Sequence, residues 1–340
     1  MQIVDLLSES ILSLPGYLVD ANKRVFGIYL VSAILLAIPA YLVQKKNFKL
    51  GAFWGYLFNK KIWFHASARL DYKLFLVNRV LKVLLWAPIV LTMVPIAIGF
   101  SDLLDSLFDK ITPVTHNSII IISMFTLILF LLDDLTRFLL HLALHKIPIL
   151  WDFHKLHHSA KVMTPMTIFR SHPFESYLYA CRMALTQGLA VGIGYYFFGA
   201  TLSMFDVFGA NIFVFVFNVM GANLRHSHVW WSWGDKIESW FISPAQHQVH
   251  HSDKPEHFDR NLGSTLAVWD RMIGTLIRSS NVGKIRFGVG AGDPGHQSMY
   301  QAYVKPFKDN LARMTSVKRW SLFLGTPVIA FMLMGIQFFR

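Results

Sequence analysis

At 340 residues the chain is long enough for one large domain or two ordinary ones, yet 54% of it is hydrophobic and only 15% charged, against about 25% charged in a typical soluble domain. Too few charges are present to cover a water-exposed surface, so the composition points to a membrane protein. A net charge of +12 then reads as the cytoplasmic excess of Lys and Arg rather than a nucleic-acid footprint. Fifteen histidines stand beside one cysteine, Cys181, which excludes an internal disulfide and a thiolate-held metal.

In chain order, the first twenty residues carry Asp5, Glu9 and Asp20 instead of a basic start, so no signal peptide is expected. Ile3, Leu7, Ile11 and Leu14 recur at the spacing of an interfacial helix. A hydrocarbon core of about 30 Å takes roughly 20 apolar residues as a helix. Residues 25–43 qualify, as do 83–100 with Pro88 and Pro95 inside, and 116–132, which stops at Asp133 and Asp134. Residues 183–222 hold one charge, Asp206, and read as a hairpin of spans at 183–198 and 207–222. The last span is 321–339.

The expected fold is an all-α integral membrane protein of about six transmembrane helices, with a cytoplasmic helical cap carrying a histidine-rich dimetal site. The segments 44–82, 133–182 and 223–319 hold 28 of the 32 basic residues, and six crossings put all three on one side. By the positive-inside rule that side is cytoplasmic. The expected organisation is an N-terminal membrane segment at 1–117, a core at 118–280 and a C-terminal extension at 281–340. The localisation that follows is a bacterial inner membrane or the endoplasmic reticulum.

Eight histidines fall in three groups: His141 and His145; His154, His157 and His158; His247, His250 and His251. Helical residues three or four apart share a face, so each group is expected to point its imidazoles one way. A neutral imidazole is the commonest protein metal ligand, and nitrogen-rich sites suit Fe, Zn, Cu or Ni. Eight rings exceed the needs of one tetrahedral zinc, which makes two metals the economical reading. A helix from Ser118 to His145 would be about 42 Å long, so the first pair emerges just past a 30 Å core, at the depth of the other two groups. His65, His116, His257 and His296 read as ordinary histidines. Trp230, Trp231 and Trp233 read as an interfacial belt.

These motifs resemble the fatty acid hydroxylase/sterol desaturase superfamily of membrane-bound histidine-box di-iron oxygenases. The resemblance runs from Asp134 to Thr275. It rests on Asp134 seven residues before His141, on Leu150-Trp151-Asp152-Phe153-His154-Lys155-Leu156-His157-His158-Ser159, and on Thr167-Ile168-Phe169-Arg170-Ser171-His172-Pro173-Phe174-Glu175. It continues through Pro244 to His251, then Asp259, Asn261, Gly263, Trp269, Asp270 and Gly274-Thr275. Leu142 stands where the family often has Arg, His228 where Asn or Gly is frequent, and Leu262 replaces a usual aromatic.

The resemblance implies that His141, His145, His154, His157, His158, His247, His250 and His251 ligate two iron ions, with His226 as the ninth ligand and His172 or His228 as a possible tenth. Which residues beyond these ligands take part in catalysis is left open by the resemblance. Asp134, Asp259, Asn261 and Asp270 are expected to support the ligands. Asp134 lies too far along its helix to touch His141, but is within reach of another box's imidazole or of Arg137. The implied reaction is O2-dependent hydroxylation, or desaturation, of an unactivated C–H bond in a membrane lipid such as a fatty acyl chain or sterol. Electrons would come from a separate donor such as ferredoxin or cytochrome b5 with its reductase, since no haem-binding signature of a fused domain appears.

Two other readings compete. A membrane haem electron-transfer protein needs single histidines paired across helices, which the clustered boxes fit poorly. A divalent-metal transporter binds its cargo near the bilayer midplane, whereas the boxes fall outside the apolar runs.

Overall fold

The computed structural model describes residues 15–82, 92–199, 202–290 and 292–315, and the fold is mostly helical. Helix α1 (Gly27–Lys45) is closed at Lys46, whose left-handed φ of 58° turns its N–H onto the Leu42 carbonyl. Helices α2 (Leu50–Leu57) and α3 (Ala66–Leu81) follow, the latter capped by His65, whose ring accepts the Ser67 N–H. Helix α4 (Met93–Phe108) leads to α5 (Ser118–Lys146), 29 residues or about 43 Å long. The Asn117 side chain caps α5 by accepting the Ile119 and Ile120 N–H groups. Among the described residues, α1 and α5 are long and apolar enough to cross a membrane.

Pro148 cannot continue α5, because it has no N–H to donate, but it fits the first turn of a new helix. Helix α6 (Pro148–His158) therefore starts at once and folds back beside α5. The 26-residue helix α7 (Pro173–Phe198) begins in the same manner, at a proline after the capping residue His172.

Helix α7 runs parallel to α4 and antiparallel to α5. Gly188 lies on Ile96 and Gly192 on Ala97, where a Cβ at Gly192 would stand 2.9 Å from the Ala97 carbonyl oxygen. Small residues of this kind let helix backbones approach closely. On the other side Phe125 of α5 meets Gly194, and Thr136 meets the Thr186 hydroxyl at 2.7 Å. Helix α8 (Ile212–Val219) lies along α1, with Tyr29 near Phe215, and Ala37 and Tyr41 near Leu224 and Val229.

The expected hairpin of spans is corrected here. Its first arm begins ten residues early, at Pro173. Its second arm is an eight-residue helix of about 12 Å, preceded by a β pair, β1 (Asp206–Val207) with β2 (Ala210–Asn211). The Asp206 carboxylate accepts the Gly209 N–H, and Gly209 takes a φ of 78°, which closes a turn where the apolar run suggested helix. The span expected at 83–100 is shifted too. Residues 83–91 lie outside the described residues, and α4 continues to Phe108. The N-terminal interfacial helix falls mostly outside the described residues, and the span at 321–339 falls wholly outside them.

The remaining elements frame one end of the bundle. Helix α9 (Pro244–His250) starts from a reciprocal cap in which Ser243 and Gln246 each accept the other's backbone N–H. Helix α10 (Met299–Thr315) packs on α6 and α3, where Leu70, Leu74, Leu156 and Ala302 form a buried cluster.

Candidate metal centre

Four elements deliver nine histidines to one place. His141 and His145 ride the last turns of α5, and His154, His157 and His158 ride α6. His226 ends the short turn after α8, while His247, His250 and His251 sit on and just after α9. They form two groups whose nitrogens lie within 4.8 Å of one another: His141, His145, His154, His158 and His250 in one, and His157, His226, His247 and His251 in the other.

The partition differs from the sequence reading, in which each box points one way. A helix advances 100° per residue, so the first and third histidines of an HxxHH box sit about 40° apart, while the middle one sits about 100° from the third. His154 and His158 therefore join the first group and His157 turns to the second. In mirror fashion, His247 and His251 join the second group and His250 crosses to the first.

Facing nitrogens are closely spaced. The Nε2 atoms of His154 and His158 are 3.2 Å apart, those of His226 and His157 3.3 Å, those of His247 and His226 3.1 Å, and those of His251 and His247 3.2 Å. Two nitrogens bound to one metal at about 2.0–2.1 Å stand roughly 2.9 Å apart at a right angle and roughly 3.4 Å apart at a tetrahedral one. The observed spacings fall in that window. The donor set is all imidazole, and His145 Nε2 and His250 Nε2 are buried without a partner, as expected of atoms that await an ion.

The opposite ring nitrogens are held in place. His141 Nδ1 lies 2.7 Å from the Leu262 carbonyl oxygen, His250 Nδ1 2.8 Å from that of Arg260, and His157 Nδ1 3.3 Å from that of Arg170. His154 Nδ1 is 3.0 Å from Glu175 Oε1, and His145 Nδ1 is 3.2 Å from Asp259 Oδ1. A carbonyl can only accept, so each Nδ1 on one carries the proton, and its Nε2 lone pair is left facing inward. Burial pushes the His154 and His157 imidazoles down to about 3, which keeps them neutral and able to ligate.

The structure brings His172 and His228 into neither group. His172 caps α7 and packs on Phe153, and the His228 ring donates to the Tyr56 carbonyl. Asp134 touches no imidazole and does not pair with Arg137. It accepts the Thr265 and Leu266 N–H groups and the Trp269 indole N–H, while Arg137 pairs with Asp133 at 2.7 Å. Asp270 accepts the Leu262 and Gly263 N–H groups and so pins the residue whose carbonyl orients His141. Asn261 ties the same loop to Gln246 and Ile277. Asp259 reaches a ring, shared with Lys146.

Sequence reasoning left Glu175 and Arg170 without a role, although both belong to a quoted motif. Arg170 is fully buried, paired with Asp71 at 2.8 Å, and also donates to the Leu156 carbonyl of α6. The motif itself, with Glu175 three residues after His172, was the available signal for Glu175.

Two cavities reach the histidines. One of 390 Å³ touches His141, His154, His157, His226 and His247, members of both groups. The other, of 270 Å³, meets His145, His158 and His250 beside Trp151 and Asp259.

The fatty acid hydroxylase family model matches residues 126–275, a stretch that contains all nine histidines. Among curated relatives, alkylglycerol monooxygenase of Danio rerio is 29% identical over 47% of this chain and 32% of its own length. Alkylglycerol monooxygenase of Xenopus tropicalis is 26% identical over 47% of this chain and 32% of its own length. Ornithine lipid hydroxylase OlsE of Rhizobium tropici is 30% identical over 41% of this chain and 38% of its own length. The chain thus spans about a third of the length of these relatives. No solved structure matches it.

Proposed function

We propose that this chain, whose residues 126–275 match the fatty acid hydroxylase family model, is an O2-dependent oxygenase that hydroxylates an unactivated C–H bond of a membrane lipid. The observation that carries the proposal is the pair of histidine groups with facing Nε2 atoms 3.1–3.3 Å apart. In this reading the nine histidines hold two iron ions. When bound, the irons supply the O2 chemistry: one oxygen atom enters the C–H bond, and the other leaves as water with two protons and two electrons from a separate donor.

The chain's own groups prepare that chemistry. The Leu262, Arg170 and Arg260 carbonyls and the Glu175 and Asp259 carboxylates fix the tautomer and angle of five rings. Asp134 and Asp270 clamp the loop that carries two of those carbonyls. The 390 Å³ cavity touches rings of both groups, so a carbon lodged there lies beside the residues that would hold the metals. We read residues 118–280 as the catalytic core of a multi-pass protein, with the centre just beyond the cytoplasmic end of α5, where a lipid reaches it without leaving the bilayer. The printed names of the relatives, lipid monooxygenase and lipid hydroxylase, support a lipid substrate. Nine rings meeting in two groups do not favour a bis-imidazole haem or a transport site.

The test compares lipid extracts of cells expressing the wild type or His157→Ala, alongside the metal content of both purified proteins. The expected result is two irons per chain and a lipid heavier by one oxygen atom in the wild type alone. A wild-type protein that binds no iron and changes no lipid overturns the proposal.

A further inference from the structure

The 390 Å³ cavity is lined by Arg24, Arg137 and Arg225, from three separate parts of the chain, as well as by histidines. Guanidinium groups are costly to bury unless anions compensate them. The carboxylates nearby only partly offset them. Asp133 serves both Arg137, at 2.7 Å, and Arg182, at 2.9 Å. Asp134 is taken by the 265–269 loop, and Glu175, which lines the same cavity, gives Oε1 to His154 and keeps Oε2 without a partner. Arg225 gives one terminal nitrogen to the Ile242 and Ser264 carbonyls and stacks on Phe217, while its Nε has no partner.

Arg24, like Arg225, has no ion-pair partner among the described residues. It donates to the Asn218 amide oxygen, and no carboxylate among the described residues lies within 4 Å of it. Burial and the neighbouring Arg137 push its guanidinium down to about 10, so it remains charged at neutral pH. Arg137 uses its Nε on Asp133. The cavity wall therefore presents positive charge in excess, next to the candidate metal ligands, with an open side toward whatever fills it.

We propose that this cavity selects a lipid with an anionic head, phosphate or carboxylate, which Arg24 and Arg137 bind while the carbon to be hydroxylated lies beside the histidine rings. The proposal rests on the oxygenase reading for the role of the bound lipid, but the anion selectivity is independent of turnover. A guanidinium fork matches the oxygens of either head in two parallel hydrogen bonds. At about 30 Å³ per water-sized group, the volume admits roughly a dozen such groups, enough for a small head and the first carbons of its chain. A larger neutral head gains nothing from Arg24 and leaves it uncompensated.

The experiment is direct binding, read by native mass spectrometry on the full chain in neutral detergent without reductant. Three probes share one acyl chain: a lyso-phosphatidic acid, the free fatty acid and the monoacylglycerol. The expected order is at least tenfold tighter binding of one or both anionic probes over the neutral one, and the stronger of the two identifies phosphate or carboxylate as the head. Arg24→Gln should remove about tenfold of that preference and leave neutral-lipid binding unchanged, while Arg24→Lys keeps part of it. Unchanged neutral binding also shows that Arg24→Gln folds. Equal binding of all three probes, or a preference that survives Arg24→Gln, overturns the proposal. Failure of the oxygenase reading shows differently, as anion selectivity without iron or product.

Discussion

A fully buried ion pair, Arg170 with Asp71, braces the second histidine box from behind, and its removal has a calculable consequence. Arg170 and Asp71 have fully buried side chains and meet at 2.8 Å. Asp71 also accepts the Thr167 hydroxyl at 2.8 Å, while Arg170 donates to the Leu156 carbonyl at 2.9 Å, to Ser159 and to the His296 carbonyl. Arg170→Met would leave the Asp71 carboxylate with the Thr167 hydroxyl alone, and Asp71→Asn would leave the guanidinium without its counter-charge. Breaking a buried pair from one side costs about 3–5 kcal/mol, and at about 2 °C per kcal/mol for a large chain each variant should melt roughly 6–10 °C lower. The double variant removes both charges, so it should cost about as much as either single one rather than their sum. Thermal unfolding in detergent of the four proteins measures the cycle, and metal content should fall with the single variants because the Arg170 carbonyl orients His157. Additive losses, or a single variant within about 2 °C of wild type, would refute the reasoning.

Other consequences concern the metal centre and its supporting loop. His145→Ala, in the group of five, should lower bound metal from two ions per chain toward one, measured by elemental analysis; two ions retained would remove His145 from the ligand set. Asp134→Asn replaces an acceptor of three N–H groups by an amide that carries donors of its own. A loss of about 1–3 kcal/mol is expected, with faster proteolysis in the 259–275 loop, and an unaltered digestion pattern would argue against the clamp. The metal-free protein should lose stability in acid. His154 and His157 titrate near 3 when folded but near 6.5 when unfolded, so below about pH 6.5 the unfolded chain takes up protons that the folded one does not. The stability held above that pH falls by about 1.4 kcal/mol for each of these rings at pH 5.5. A melting temperature flat from pH 7.5 to 5 would contradict this.

Composition and spacing carried much of this protein. The scarcity of charge and the apolar runs at 25–43 and 116–132 mark helices α1 and α5, because each is a local property of the chain. The histidine spacings likewise announced rings on helix faces, and all nine meet in the structure. What the spacing left open is which ring joins which group, since that depends on how α5, α6 and α9 are rotated against one another. Only packing turns His157 and His250 across to the partner box. The Nδ1 partners were hidden for a different reason. Three of them are backbone carbonyls, of Leu262, Arg170 and Arg260, and every residue has a carbonyl, so no side-chain pattern distinguishes these. The hairpin after α7 was misjudged because apolar composition does not separate a helix from a short β turn, and the choice fell to Gly209 and the Asp206 cap. The meeting of Arg24 with Arg137, residues 113 positions apart in the sequence, is a product of tertiary structure alone: it exists only once α1, α5 and α8 lie side by side.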